Sequence, residues 1–142
     1  MDLTKGESFG FLGFELRHVR GLKGMWRPQY TPKLKKRTEL LRKLKVIFRR
    51  FRSQPISRVD QLINPILRGW VNYFSMGHSS RCFLYVQDWV EKKIRLHLMR
   101  ARKLKGFGWK RWSKRWLYEV LGLYGNYRVR GYEPRLKELS VR

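Results

Sequence analysis

Apolar residues recur at helical spacing along most of the chain. Over residues 33–52, KLKKRTELLRKLKVIFRRFR, the positions Leu40, Leu41, Leu44, Ile47, Phe48 and Phe51 fall on one stripe of one helix. The next stripe, Val59, Leu62, Ile63, Ile66, Leu67, Trp70, Val71 and Phe74, holds its phase for more than four turns and predicts the central core helix. Pro65 interrupts it. An interior proline costs a helix about 3 kcal/mol, but Asn64 can cap a new start with Pro65 at the favoured first position, so a kink or restart is expected at Asn64. Burying each stripe residue contributes roughly 1.5–3 kcal/mol before entropy is subtracted, which outweighs the proline.

Boundary residues divide the pattern. SQPIS at 53–57 breaks the first helix, and Ser57 with Asp60 reads as a capping-box start for the second. Met76-Gly77 ends it. Ser80 is the expected N-cap of a third helix over roughly 81–103, with Phe83, Val86, Val90, Ile94, His97 and Ala101 along one side. Gly69, in a helix interior, costs about 1 kcal/mol relative to Ala and predicts close approach of another helix or backbone beside Trp70. Trp109, Trp112, Trp116 and Val120 continue helical spacing through 106–122.

Residues 9–20, FGFLGFELRHVR, followed by Gly21 and Gly24, read instead as a short hairpin, too small to stand alone in water. RPQYTPK at 27–33 reads as a connector, because Pro28 and Pro32 bias their preceding residues away from helix. The expected architecture is mainly α: a small bundle of three to four helices preceded by a short β-hairpin remnant. Its divisions are a hairpin over 1–26, a connector over 27–32, a helical domain over 33–122 and an irregular tail over 123–142.

Charge changes the picture more than composition does. With 42% hydrophobic and 15% aromatic residues in 142, the chain has enough to close a core. Its 34 Lys and Arg face only 10 Asp and Glu, a net +24, so a polyanion is the expected partner. In the first helix ten basic residues stand against Glu39 alone, where a salt-bridged solvent face would alternate signs. Nucleic acid fits better than a membrane surface, because the apolar stripes are needed for the core. Neither a signal peptide nor an uncharged span of about 18 residues is visible, and the single cysteine, Cys82, fits a reducing compartment; a bacterial cytoplasm is expected, with an organellar matrix as the alternative.

Catalytic and metal signatures are weak. Asp88 and Glu91 stand three apart, but each has an i, i+4 partner in Lys92 and Arg95. His78 and Cys82 are four apart without a second cysteine, and His18 and His97 have no ligand spacing. No catalytic residue, metal or cofactor is expected. The positive signal is basic faces interleaved with aromatics, since Lys and Arg neutralise phosphates while exposed rings stack on unpaired bases. The candidate RNA contacts are Lys35, Lys36, Arg49, Arg50, Arg52, Arg68, Lys92, Lys93, Lys110 and Arg111. Trp109 and Trp112 either stack on bases or fill the core, whereas Trp70 and Phe74 belong to the core. Arg68 points to a phosphate or ties to a carboxylate within the fold.

Four stretches, in this order, resemble one known family. They are FLGF at 11–14, similar to the end of the last reverse-transcriptase block; RPQYTPK with the basic helix after it; LINPILRGWVNYFSMG at 62–77; and LYVQDWVEKKIRLHLMR at 84–100. Together they cover roughly residues 9–116 and resemble the maturase or thumb domain of group II intron maturases, which follows the polymerase domain of intron-encoded reverse transcriptases. The most specific is L-N-P-x-L-R-G-W-x-N-Y-F, here with Ile63 between Leu62 and Asn64.

The resemblance implies a thumb-like helical domain that binds group II intron RNA and helps it reach its splicing-competent fold. The polymerase's Tyr-Ala-Asp-Asp motif and a Cys-rich nuclease segment are missing from the sequence, so neither activity carries over. With Met1 ahead of FLGF, a reading frame truncated or split within a larger gene, or an isolated domain, is expected. The alternative function is the C-terminal piece of a split reverse transcriptase, completed by a separate fingers-palm chain.

Overall fold

The structure, a computed structural model, describes residues 13–20, 26–106 and 108–129. Strand β1 (Phe14–Arg20) pairs antiparallel with β2 (Trp26–Pro32), Phe14 opposite Pro32 and Arg20 opposite Trp26. The expected connector over 27–32 is therefore the second strand. Two prolines fit there because in a two-stranded sheet each strand has an outer edge, where a missing N–H removes no ladder bond. The expected turn at Gly21 and Gly24, and residues 1–12, with the first half of FLGF, lie outside the described residues.

Helix α1 (Leu34–Arg50) buries Leu40, Leu44 and Phe48, with Leu41, Ile47 and Phe51 packed against the same cluster. Helix α2 (Ile56–Phe74) buries Val59, Ile63, Leu67, Val71 and Phe74. Helix α3 (Ser80–Ala101) contributes Phe83, Val86, Val90, Ile94 and His97, as its spacing predicts, and adds Met99. Ala101 is exposed. The core has two parts, and α2 runs through both: Val59, Ile63 and Leu67 join α1 and α3, while Val71 and Phe74 join Phe14 and Phe83.

Three helix-end expectations are corrected. Helix α2 starts one residue before Ser57, behind Pro55, whose extended backbone (φ −57°, ψ 147°) sets the entry; no side chain caps it, and Asp60 is buried rather than reaching back. It then runs unbroken through Pro65, with no restart at Asn64. The carbonyl that loses its partner belongs to Gln61, whose exposed position lets water replace the bond. Ser79, not Ser80, occupies the cap of α3, and its hydroxyl donates back to the Phe74 carbonyl (2.6 Å), closing the end of α2.

The loop between α2 and α3 clamps the hairpin. Tyr30 donates its N–H to His78 Nδ1 (3.1 Å) and accepts the His78 N–H at its carbonyl (2.6 Å), while Lys33 N–H donates to the Gly13 carbonyl (2.8 Å). The Phe14 ring lies 5.0 Å from that of Phe74 and 6.1 Å from that of Tyr73. Gly77 makes the approach feasible, since a Cβ there would stand 2.5 Å from the Tyr30 carbonyl oxygen and overlap Phe14.

Beyond α3 the expected fourth helix reduces to a short helical segment over 114–120 that widens across Trp116–Val120, closed by Leu121 N–H on the Trp116 carbonyl (3.0 Å). Leu117 and Leu123 are buried, so the start of the expected tail, 123–129, is irregular yet part of the core. The remainder, 130–142, lies outside the described residues. Asn64, rather than capping, holds this segment: its Nδ2 donates to the Gly122 carbonyl (3.0 Å) and to Asp60 Oδ2 (3.2 Å), and its Oδ1 accepts the Tyr124 N–H (2.8 Å). Among the described residues no helix is long and apolar enough to cross a membrane.

Asp60 carries a stability consequence. Its Oδ1 is buried without a hydrogen-bond partner, and burial raises its pKa from 3.8 to about 6, with the Asn64 bond pulling the other way. The folded state thus binds the proton more tightly than the unfolded one, so this contribution is full below pH 4 and is lost as pH rises through 6. Asp60→Asn is expected to raise stability at pH 7 by on the order of 2 kcal/mol, with the difference from wild type shrinking towards pH 4. Denaturant melts at both pH values check it; a constant difference would contradict the assignment.

Candidate nucleic-acid interface

Lys45, Arg49 and Arg52 recur at i, i+4 and i+7 along α1 and the turn after it. Lys93, His97 and Arg100 repeat the same interval on α3. Packing of the two helices over Phe48 and Leu96 turns these rows towards each other across a concavity of about 190 Å³. Its wall holds five cations, Lys45, Arg49, Arg52, Lys93 and Arg100, and no carboxylate. The buried His97 is bonded through Nε2 to the Gln54 carbonyl (2.8 Å), tying α3 to the turn that carries Arg52.

This concavity is electrostatically unsatisfied. Burial lowers the Lys93 pKa, and Lys45, Arg100, Lys92 and Arg49 push it further down by repulsion. Arg49 and Arg50 lie in the last turn of α1 and Arg100 in that of α3, where the helix dipoles offset part of the repulsion. A phosphate between the two rows would face several charged donors at once.

The remaining predicted contacts are dispersed. Lys35 and Arg50 are exposed on α1, outside the concavity. Lys36 lines a different groove, between α1 and α2, and stands 3.7 Å from Glu39. Arg68 is exposed, its guanidinium 5.8 Å from the Tyr124 ring centroid. Lys92 borders a shallow groove with Asp88, Arg95 and Trp109, while Lys110 Nζ sits 5.6 Å from the Trp109 ring and Arg111 is exposed. The structure thus joins Arg49, Arg52 and Lys93, and adds Lys45 and Arg100, which sequence reasoning missed. The matching i, i+4, i+7 rows were the available signal; that they face each other depends on tertiary packing.

The two candidate stacking rings separate. Trp109 is 62% exposed and free to meet a base. Trp112 is 5% exposed, so the base-stacking expectation is corrected for it: the positive φ of Gly108 (+74°) turns the chain, and the ring fills the core beside Met99 and Leu117. Its carbonyl also accepts the Arg95 Nε–H (2.8 Å).

Of the two carboxylates three apart, Glu91 has a structural use. Glu91 is buried and accepts the Tyr118 hydroxyl (2.5 Å), with Arg95 Nη1 and Lys114 Nζ each 3.7 Å away. Burial and the bond to Glu91 raise the Tyr118 phenol pKa, so it remains a donor. Burial pushes the Cys82 thiol up to about 11, with Arg37 opposing, which keeps it protonated and a poor nucleophile.

Comparison with protein-family models matches residues 37–117 to the group II intron maturase-specific domain, more than half of the chain. The matched span runs from the first turn of α1 into the widened segment that carries Leu117. Neither the curated proteins nor the solved structures return a match.

Proposed function

Because the chain belongs to the group II intron maturase-specific domain family, we propose that it binds group II intron RNA and assists the folding that precedes splicing, without catalysing a reaction itself. The observation that carries this reading is the five-cation concavity between α1 and α3, which lacks an acidic wall residue. Lys45, Arg49, Arg52, Lys93 and Arg100 form the phosphate grip. Lys35, Lys36, Arg50, Arg68, Lys92, Lys110 and Arg111 extend the positive field, and Trp109 offers an exposed ring for an unpaired base. RNA folding is assisted when a protein binds the compact form more tightly than its competitors. The test adds the purified chain to a group II intron transcript at limiting magnesium: faster splicing supports the reading, and an unchanged rate at saturating protein contradicts it.

A second reading, a C-terminal piece of a reverse transcriptase completed by a separate fingers-palm chain, draws on the hairpin. Its two strands are clamped to the helices through Tyr30 and His78, and a two-stranded sheet has edges on which further strands can pair. Co-purification with a fingers-palm polypeptide, lost in a variant that detaches the hairpin, distinguishes it.

A further inference from the structure

Gly69 sits in the middle of α2 with no structural reason to be glycine. Its φ is not positive, and a Cβ built on it meets no atom within 4 Å, so the expected close approach of another helix is absent. Alanine would fit the space and favour the helix. The vacancy opens onto a groove of about 390 Å³ between α1 and α2, which is separate from the five-cation concavity.

The groove's walls have two characters. Pro65, Ile66 and Trp70 supply apolar surface on the α2 side. Trp70 is half-buried, its ring packed on Phe74 (4.6 Å between centroids) and Phe83 (5.9 Å), so its position is fixed. On the α1 side stand Lys36 and Lys43, seven residues apart and so about 10 Å along the helix, with Glu39 between them, 3.7 Å from Lys36. Apolar surface beside a rim of two ammonium groups and one carboxylate, still net positive, suits a nucleotide: a flat base against the apolar wall, with a flanking phosphate near Lys43. A base laid against that wall must be unpaired, so the groove suits a single strand rather than a duplex.

We propose that the α1–α2 groove is a second RNA seat, holding an unstacked nucleotide of a single-stranded segment, and that Gly69 leaves the space its sugar and backbone occupy. The proposal rests on the reading that the chain binds RNA. It adds a distinct site for single strands beside the phosphate grip.

The test uses the full chain, a fluorescently labelled oligouridylate of about twelve nucleotides, within the span of single-strand sites, and a group II intron transcript. Gly69→Ala is expected to melt about 4 °C higher than wild type, and Gly69→Leu to stay folded. Oligonucleotide affinity should fall slightly for Gly69→Ala and about tenfold for Gly69→Leu, the scale of one lost base stack. Lys43→Gln, which leaves the helix intact, should weaken binding as well. Wild-type affinity in both Gly69→Leu and Lys43→Gln would overturn the groove assignment and leave the vacancy to a protein partner.

Measuring Arg49→Glu/Arg52→Glu in parallel separates the two claims. Loss of transcript binding in that variant with no effect at Gly69 removes only the second seat. No transcript binding by wild type would overturn both.

Discussion

Arg49→Glu/Arg52→Glu is expected to reduce affinity for a group II intron transcript by at least about a hundredfold at physiological salt, and to lower the salt slope by about 2. Both residues line a concavity whose other charged side chains are Lys45, Lys93 and Arg100, so two reversals convert a wall of five cations into a mixed one. The same substitutions should not harm the fold. They place carboxylates beside a lysine whose pKa is already lowered by burial and by Lys45, Arg100, Lys92 and Arg49, which relieves repulsion. Loss of a cation from the C-terminal turn of α1 offsets part of that relief, so melting temperature should change little while binding is lost. Arg50→Glu supplies the contrast: its side chain lies outside the concavity, and the single change should cost only a few-fold. Equal losses from Arg50 and from the Arg49/Arg52 pair would mean that a diffuse field, rather than the groove, grips RNA.

Trp112→Ala should lower stability by about 3–5 kcal/mol, the range for deleting a buried indole. The ring is 5% exposed, with Arg102 above it at 5.6 Å, and it completes a cluster with Met99 and Leu117. Gly108 makes room for it, since a Cβ there would stand 2.9 Å from the indole. Trp109→Ala should behave in the opposite way: unchanged melting, and RNA affinity reduced about fivefold if one base stacks on it. Chemical denaturation and filter binding of the two variants check this. Wild-type stability in Trp112→Ala would contradict the burial of the ring.

Helix existence and facing were legible because burial imposes a period: the stripe residues of α1 and α2 are buried or half-buried in the structure. What stayed hidden depends on partners far along the chain. Asn64 reads as a cap in isolation, but Gly122 and Tyr124, about sixty positions away, claim its amide. Pro28 and Pro32 read as loop residues, yet they lie in a strand with an outer edge, held by a histidine 48 positions from Tyr30. Trp112 and Trp109 share composition and neighbourhood, and only the turn at Gly108 decides which is buried. For the interface, the one-sign face of α1 was visible, whereas the contribution of α3 needed the helix pairing to be known.

The measurement closest to the central claim is binding of the purified chain to a group II intron RNA and to an unrelated structured RNA of equal length, titrated with salt through the physiological range. The account predicts tighter binding to the intron, with affinity that persists at salt concentrations releasing the control. Equal affinities falling with the same steep slope would contradict it, leaving a basic helical domain that holds RNA by charge alone.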